Sequence, residues 1–164
     1  TIMLRLLVCI LCFTFSNSLA QQVDWIGFEK LEEKMRVQPR PVLIFIKTDW
    51  CRFCAMQLEN TFADKDLVNE IQRAFYAVSL DAEQRDDVTF LKKRYRYKPT
   101  GPGSGYHELA EFLGKKGGTL SFPTTVILSE SLQPLGQFPG FLNAADLLRL
   151  LDDARITEPH AGLK

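Results

Sequence analysis

Two cysteines three residues apart, Cys51 and Cys54, are the side chains of this sequence best suited to do chemistry. A thiol reacts as its thiolate, and an unperturbed cysteine has a pKa of about 8.5. Residues 42–46, Val-Leu-Ile-Phe-Ile, read as a strand buried on both faces, and residues 52–60 read as a helix. Cys51 therefore stands where a strand ends and a helix begins. Unpaired backbone N–H groups and the helix dipole stabilise an anion there, and Arg52 adds a neighbouring positive charge. Cys54 lies one turn on and can reach the first sulfur. The pair can close a disulfide or resolve a mixed one, with Cys51 attacking and Cys54 resolving. A permanently oxidised crosslink is the bland alternative, although so short a loop stabilises little through chain entropy.

Other chemistries have less to work with. A structural zinc site asks for about four ligands, and beyond the cysteine pair the candidates are His107 and His160. His160 falls in the C-terminal tail, and His107 is expected to be solvated on a short surface helix. No metal and no cofactor is expected. Delivery of a soft metal by the reduced pair is a third reading, open to a direct binding test.

The elements that position the pair follow from periodicity and punctuation. Apolar residues at Trp25, Phe28, Leu31 and Met35 predict a helix over 25–35, ended by Pro39 and Pro41. Asp64 is placed to cap a helix over 65–74, and residues 75–80 read as a second strand. Acid at Asp86 and Asp87 and base at Lys93 and Arg94 predict a helix over 86–95. Residues 98–105, rich in Gly and Pro, read as a loop, followed by a short helix over 106–113. Strands are expected over 124–128 and 135–138, then a terminal helix over 144–154. Parallel strands come first and an antiparallel pair last, which makes the fold class α/β with a mixed central sheet.

The 164 residues suit one domain, and 46% hydrophobic content fills its core. Twenty basic residues balance twenty acidic ones, which argues against a nucleic-acid binder. The basic residues Lys92, Lys93, Arg94, Arg96 and Lys98, interleaved with Tyr95 and Tyr97, read as a solvated helix end or a partner-docking surface. At the N-terminus, Arg5 precedes the apolar run 6–15 and then small residues at Ser18 and Ala20. This pattern describes a secretory signal peptide over 1–20, with an uncleaved anchor as the alternative. Cys9 and Cys12 leave with it, so one cysteine pair remains in residues 21–164, with 19 basic and 20 acidic residues. The expected organisation is a domain over 21–158 and a flexible tail over 159–164, in a periplasmic or secreted location.

Strand, then Thr48-Asp49-Trp50-Cys51-Arg52-Phe53-Cys54, then Phe122-Pro123-Thr124 opening a later strand, resembles the thioredoxin superfamily. The stretch Leu58-Glu59-Asn60-Thr61-Phe62-Ala63-Asp64 and the Gly140-Phe141 pair narrow the likeness. They are similar to the secreted branch that includes the C-terminal domain of the transmembrane thiol:disulfide interchange protein. The resemblance implies a thioredoxin fold with a cis peptide bond before Pro123. It also implies that Trp50, Arg52, Phe53, Phe122 and Pro123 bind substrate around the catalytic pair Cys51 and Cys54. Phe122 would offer its backbone to a client peptide.

Two departures from the family pattern matter. Phe45 stands where thioredoxins bury an Asp, and Leu58 where some members place a Glu. Lys47 and Asp49 are candidate substitutes for the missing carboxylate. The second departure is an insertion over 96–120 with a helix of its own, ahead of the cis-proline loop. The expected function is an exported, monomeric thiol–disulfide oxidoreductase that reduces client-protein disulfides and is recharged by a membrane electron donor. The competing expectation is a non-catalytic interaction module that uses the insertion and the cis-proline loop.

Overall fold

The computed structural model describes residues 22–157. The expected signal segment, the tail and His160 lie outside the described residues. Five strands form the central sheet: β1 (Trp25–Ile26), β2 (Val42–Lys47), β3 (Tyr76–Asp81), β8 (Thr124–Leu128) and β9 (Pro134–Pro139). Their order is β1-β3-β2-β8-β9, with β1, β3 and β2 parallel and β8 and β9 antiparallel to their neighbours. Helices α1 (Phe28–Val37), α2 (Arg52–Met56), α3 (Lys65–Ala74), α4 (Glu108–Gly114) and α5 (Ala144–Thr157) flank it. A π-helical turn, Gln57–Thr61, continues α2.

Central strand β2 shows why a continuous apolar run marks this position. Val42, Ile44 and Ile46 pack into the core half shared with α1 and α4, whereas Leu43 and Phe45 enter the half shared with α3 and α5. All five are fully buried. Each such side chain contributes on the order of 2 kcal/mol by leaving water. The cysteine pair is part of the second half.

Helix α3 forms as expected, with the Asp64 carboxylate accepting the Leu67 N–H at 3.0 Å. Helix α1 starts later than its apolar spacing predicts. Trp25 and Ile26 instead pair with Ala77 and Val78 as an edge strand. Gly27 separates the two, and strand alternation sends Ile26 to one core half and Trp25 to the other.

The segment between β3 and β8 departs most from expectation. The helix predicted over 86–95 does not form. That stretch is a hairpin of β4 (Val88–Phe90) and β5 (Lys93–Tyr95). Its turn residues Leu91 and Lys92 have φ of 53° and 63°, and the Leu91 N–H donates to the Glu32 carboxylate at 2.8 Å. Burial of Phe90 and Tyr95 outweighs the turn's left-handed backbone, and Arg94 pairs with Asp87 across the hairpin. The predicted loop over 98–105 is a second hairpin, β6 (Tyr97–Gly101) and β7 (Ser104–His107). Its turn does fall at Pro102-Gly103. Gly105 is buried against Tyr97, where a Cβ would lie 2.4 Å from the Lys98 carbonyl oxygen. Because β7 takes Tyr106 and His107, helix α4 begins at Glu108.

Candidate active site

Strand β2 delivers the chain to a short loop, and the Cys51 N–H donates to the Thr48 carbonyl at 3.3 Å. Cys51 is the N-cap of α2, and its Sγ accepts the Cys54 N–H at 3.1 Å. The two sulfurs are disulfide-bonded, with Cα atoms 5.2 Å apart. Cys51 is 6% exposed and Cys54 only 1%. Both residues are buried in the same core half, Cys51 slightly less so than Cys54. The N–H aimed at the Cys51 sulfur is a donor of the kind a thiolate accepts.

Other predicted site residues converge on this disulfide. The Phe122–Pro123 peptide bond is cis. Pro123 precedes Thr124, which lies opposite Ile46 at the end of β2 that leads to the cysteines. The Pro123 carbonyl accepts the Gly140 N–H at 2.7 Å, tying the β9–α5 loop to the site. Phe122 packs against the core half that contains both cysteines. Its ring meets Trp50 edge-on at 6.0 Å and Tyr106 at 5.5 Å. Trp50 and Phe53 stand out from the surface, 62% and 60% exposed. Arg52 is exposed beside them and forms no ion pair among the described residues.

The interior behind Cys54 is held by Phe45 and by polar groups that sequence reasoning missed. Phe45 fills its position with an aromatic ring, edge-on to Phe62 at 5.0 Å. Asp49 is no stand-in for a buried carboxylate, being 84% exposed and paired with Lys47 at 3.0 Å. Gln57, one turn beyond Cys54, is fully buried. Its carbonyl oxygen accepts the Leu142 N–H at 3.0 Å and its amide donates to Thr125 Oγ1 at 3.5 Å. The Thr61 hydroxyl donates to the Leu142 carbonyl at 2.7 Å. The π turn therefore grips both backbone groups of Leu142, next to Phe141 and Gly140. Glu83 was also missed: its carboxylate accepts the Trp50 indole N–H at 3.1 Å. Gln57 falls on the buried side of α2, three residues after Cys54, but no local signal pairs it with Leu142.

His107 is not solvated, as its sequence context predicts, but fully buried as the N-cap of α4. Its Nδ1 accepts the Leu109 N–H at 3.2 Å, so Nε2 carries the proton donated to the Asp86 carbonyl at 3.1 Å. Burial pushes its pKa below the usual histidine value, against smaller opposing effects from the Asp86 carbonyl, Glu108 and Asp87.

A disulfide at the N-terminus of a helix, beside a cis proline in a five-stranded mixed sheet, defines a thioredoxin-fold thiol–disulfide oxidoreductase. The chain belongs to the thioredoxin-like domain family, which residues 28–155 match. Among solved structures, a DsbH oxidoreductase superposes with a TM-score of 0.57 at 14% identity, covering 88% of this chain and 93% of that one. A thioredoxin from Thermus thermophilus superposes with a TM-score of 0.58 at 16% identity, covering 87% of this chain and 98% of that one. A putative disulphide-isomerase from Bacteroides thetaiotaomicron gives 0.57 at 18% identity, covering 87% and 100%. At such identities these likenesses speak for the fold. No curated protein matches the chain.

Proposed function

We propose that this protein is an exported reductase of client-protein disulfides. The observation that carries the reading is the position of Cys51: the less buried of the pair, capping α2, with the Cys54 N–H aimed at its sulfur. In the reduced protein the Cys51 thiolate attacks a client disulfide and expels one client thiolate. Cys54 then gives up its proton and attacks Cys51 of the mixed disulfide, expelling the second thiolate. Client sulfurs gain two electrons from the pair, one proton from Cys54 and one from solvent, and the Cys51–Cys54 disulfide returns. Trp50, Arg52, Phe53, Phe122 and Pro123 form the surface the client meets.

A membrane thiol–disulfide partner recharges the pair, in keeping with the branch of the superfamily that the sequence resembles. Export rests on Arg5, the apolar run 6–15 and the small residues Ser18 and Ala20. The test is the reduction potential of the pair, measured by equilibrating the protein in dithiothreitol or glutathione buffers. A value near roughly −270 mV supports a reductant, and one near roughly −120 mV makes it a disulfide donor instead. A pair without a reversible couple leaves the non-catalytic interaction module, whose binding would survive replacement of both cysteines by Ser.

A further inference from the structure

Hairpin β6–β7 lies outside the central sheet, yet it abuts the disulfide site. Its Tyr106 ring touches Phe122, which touches Trp50, the residue before Cys51. The base of the hairpin is anchored by the His107 N–H, which donates to the Ala82 carbonyl at 2.7 Å, and by the His107 ring on Asp86. Directly paired residues on antiparallel strands share a face. Lys98 is paired with Tyr106, so it stands on the face that meets Phe122. Tyr97, one residue earlier and paired with His107, faces the opposite way, and Arg85 stacks on its ring at 4.5 Å, two residues from the Glu83 that holds Trp50.

Charge is segregated here although the chain as a whole is neutral. Residues 82–107 hold six basic side chains against three acidic ones, Glu83, Asp86 and Asp87. Two of the acids are engaged, Glu83 by Trp50 and Asp87 by Arg94 and Arg96. Lys98 and Arg85 are exposed, and neither meets a carboxylate at ion-pair distance among the described residues.

We propose that the β6–β7 hairpin is a docking wall for the client, and that Lys98 and Arg85 select disulfides lying next to acidic residues. This rests on the redox reading of the Cys51–Cys54 pair and adds a substrate class to it. Opposite charge at such a wall raises the encounter rate and orients the client, and salt weakens it.

The test uses two peptides of equal length, each closed by one disulfide and flanked by either Glu or Lys. The pre-reduced protein is mixed with each, and every rate is divided by that peptide's rate with dithiothreitol to remove differences in intrinsic reactivity. At low salt the acidic peptide is expected to react about tenfold faster than the basic one. The ratio should collapse towards one at about 0.5 M salt, beyond the range of unscreened steering. The double variant Lys98→Glu/Arg85→Glu should reverse the ratio, and Lys98→Gln alone should lower it about threefold. An unchanged ratio in these variants, or no preference in the unmodified protein, overturns the docking wall. Hydroxyethyl disulfide, small and uncharged, separates the two layers. Its reduction without any peptide preference sinks the wall alone, whereas failure to reduce it sinks the redox reading and the wall together.

Discussion

The half of the molecule that carries the cysteines and the crossover that faces it are built on different terms. From β2 through α2 and α3 to β3, each element is set by its own residues: an apolar run, an N-cap, a buried helix stripe. From β3 to β8 the chain instead folds as two hairpins and a short helix. There Leu91 and Lys92 adopt a left-handed turn that their residue types do not favour. The first region places the sulfurs, and the second packs beside them. Contacts of Phe122 with Trp50 and Tyr106 are where the two meet.

If this division holds, Cys51→Ser should cut dithiothreitol-driven reduction of a protein disulfide by about a thousandfold or more, while the urea midpoint moves little. Cys54→Ser should accumulate a mixed disulfide on Cys51, visible by mass. Full activity in the Cys51→Ser variant would detach the chemistry from the first region altogether.

Gly105→Ala probes the other side. The added Cβ has no room beside the Lys98 carbonyl and the Tyr97 ring. A loss of roughly 2 kcal/mol in urea unfolding is expected, with exchange protection lost first in the β6–β7 hairpin. Uniform loss across the sheet would mean that the two regions fold as one unit.

Gln57→Leu tests the grip of the π turn on the β9–α5 loop. It strands the Leu142 N–H and the Thr125 hydroxyl, at a cost of about 1–3 kcal/mol. The reduction potential should stay put while KM for a protein client rises, because Phe141 and Gly140 lose their anchor. A changed potential with an unchanged KM would place Gln57 in the redox chemistry instead.

The smallest effect is a slope in pH. His107 is neutral when folded, and burial holds its pKa below the usual value of about 6.5. Its stabilising contribution is therefore complete above that value and is lost as pH falls through the lowered folded pKa. Urea midpoints of the protein should decline below about pH 6.5. His107→Asn, which keeps an N-cap acceptor, should remove that part of the decline, and an identical slope in the variant would clear His107 of the effect.

Much of the frame was legible in the sequence because its signals are local. Strand β2 announced itself by Val42 to Ile46, α3 by Asp64 and its buried stripe, and the disulfide site by two cysteines at a strand–helix junction. The cis bond at Pro123 was legible by likeness to a family, from Phe122-Pro123-Thr124. Misreading 86–95 as a helix came from its end charges, which fit a helix dipole equally well as a hairpin's cross-strand pair.

What the sequence alone determined is where the reactive pair stands and on which elements, since hydrophobic period and capping act within a few residues. Only the tertiary structure decided the surroundings. Glu83 reaches Trp50 across 33 residues of chain, Gln57 reaches Leu142 across 85, and His107 is buried by its fit against Asp86 and Ala82. Each of these polar groups is satisfied by a partner that only the folded sheet brings near. Leaving such a group unpaired costs more than the hydrogen bond gains, so packing had to choose the partner.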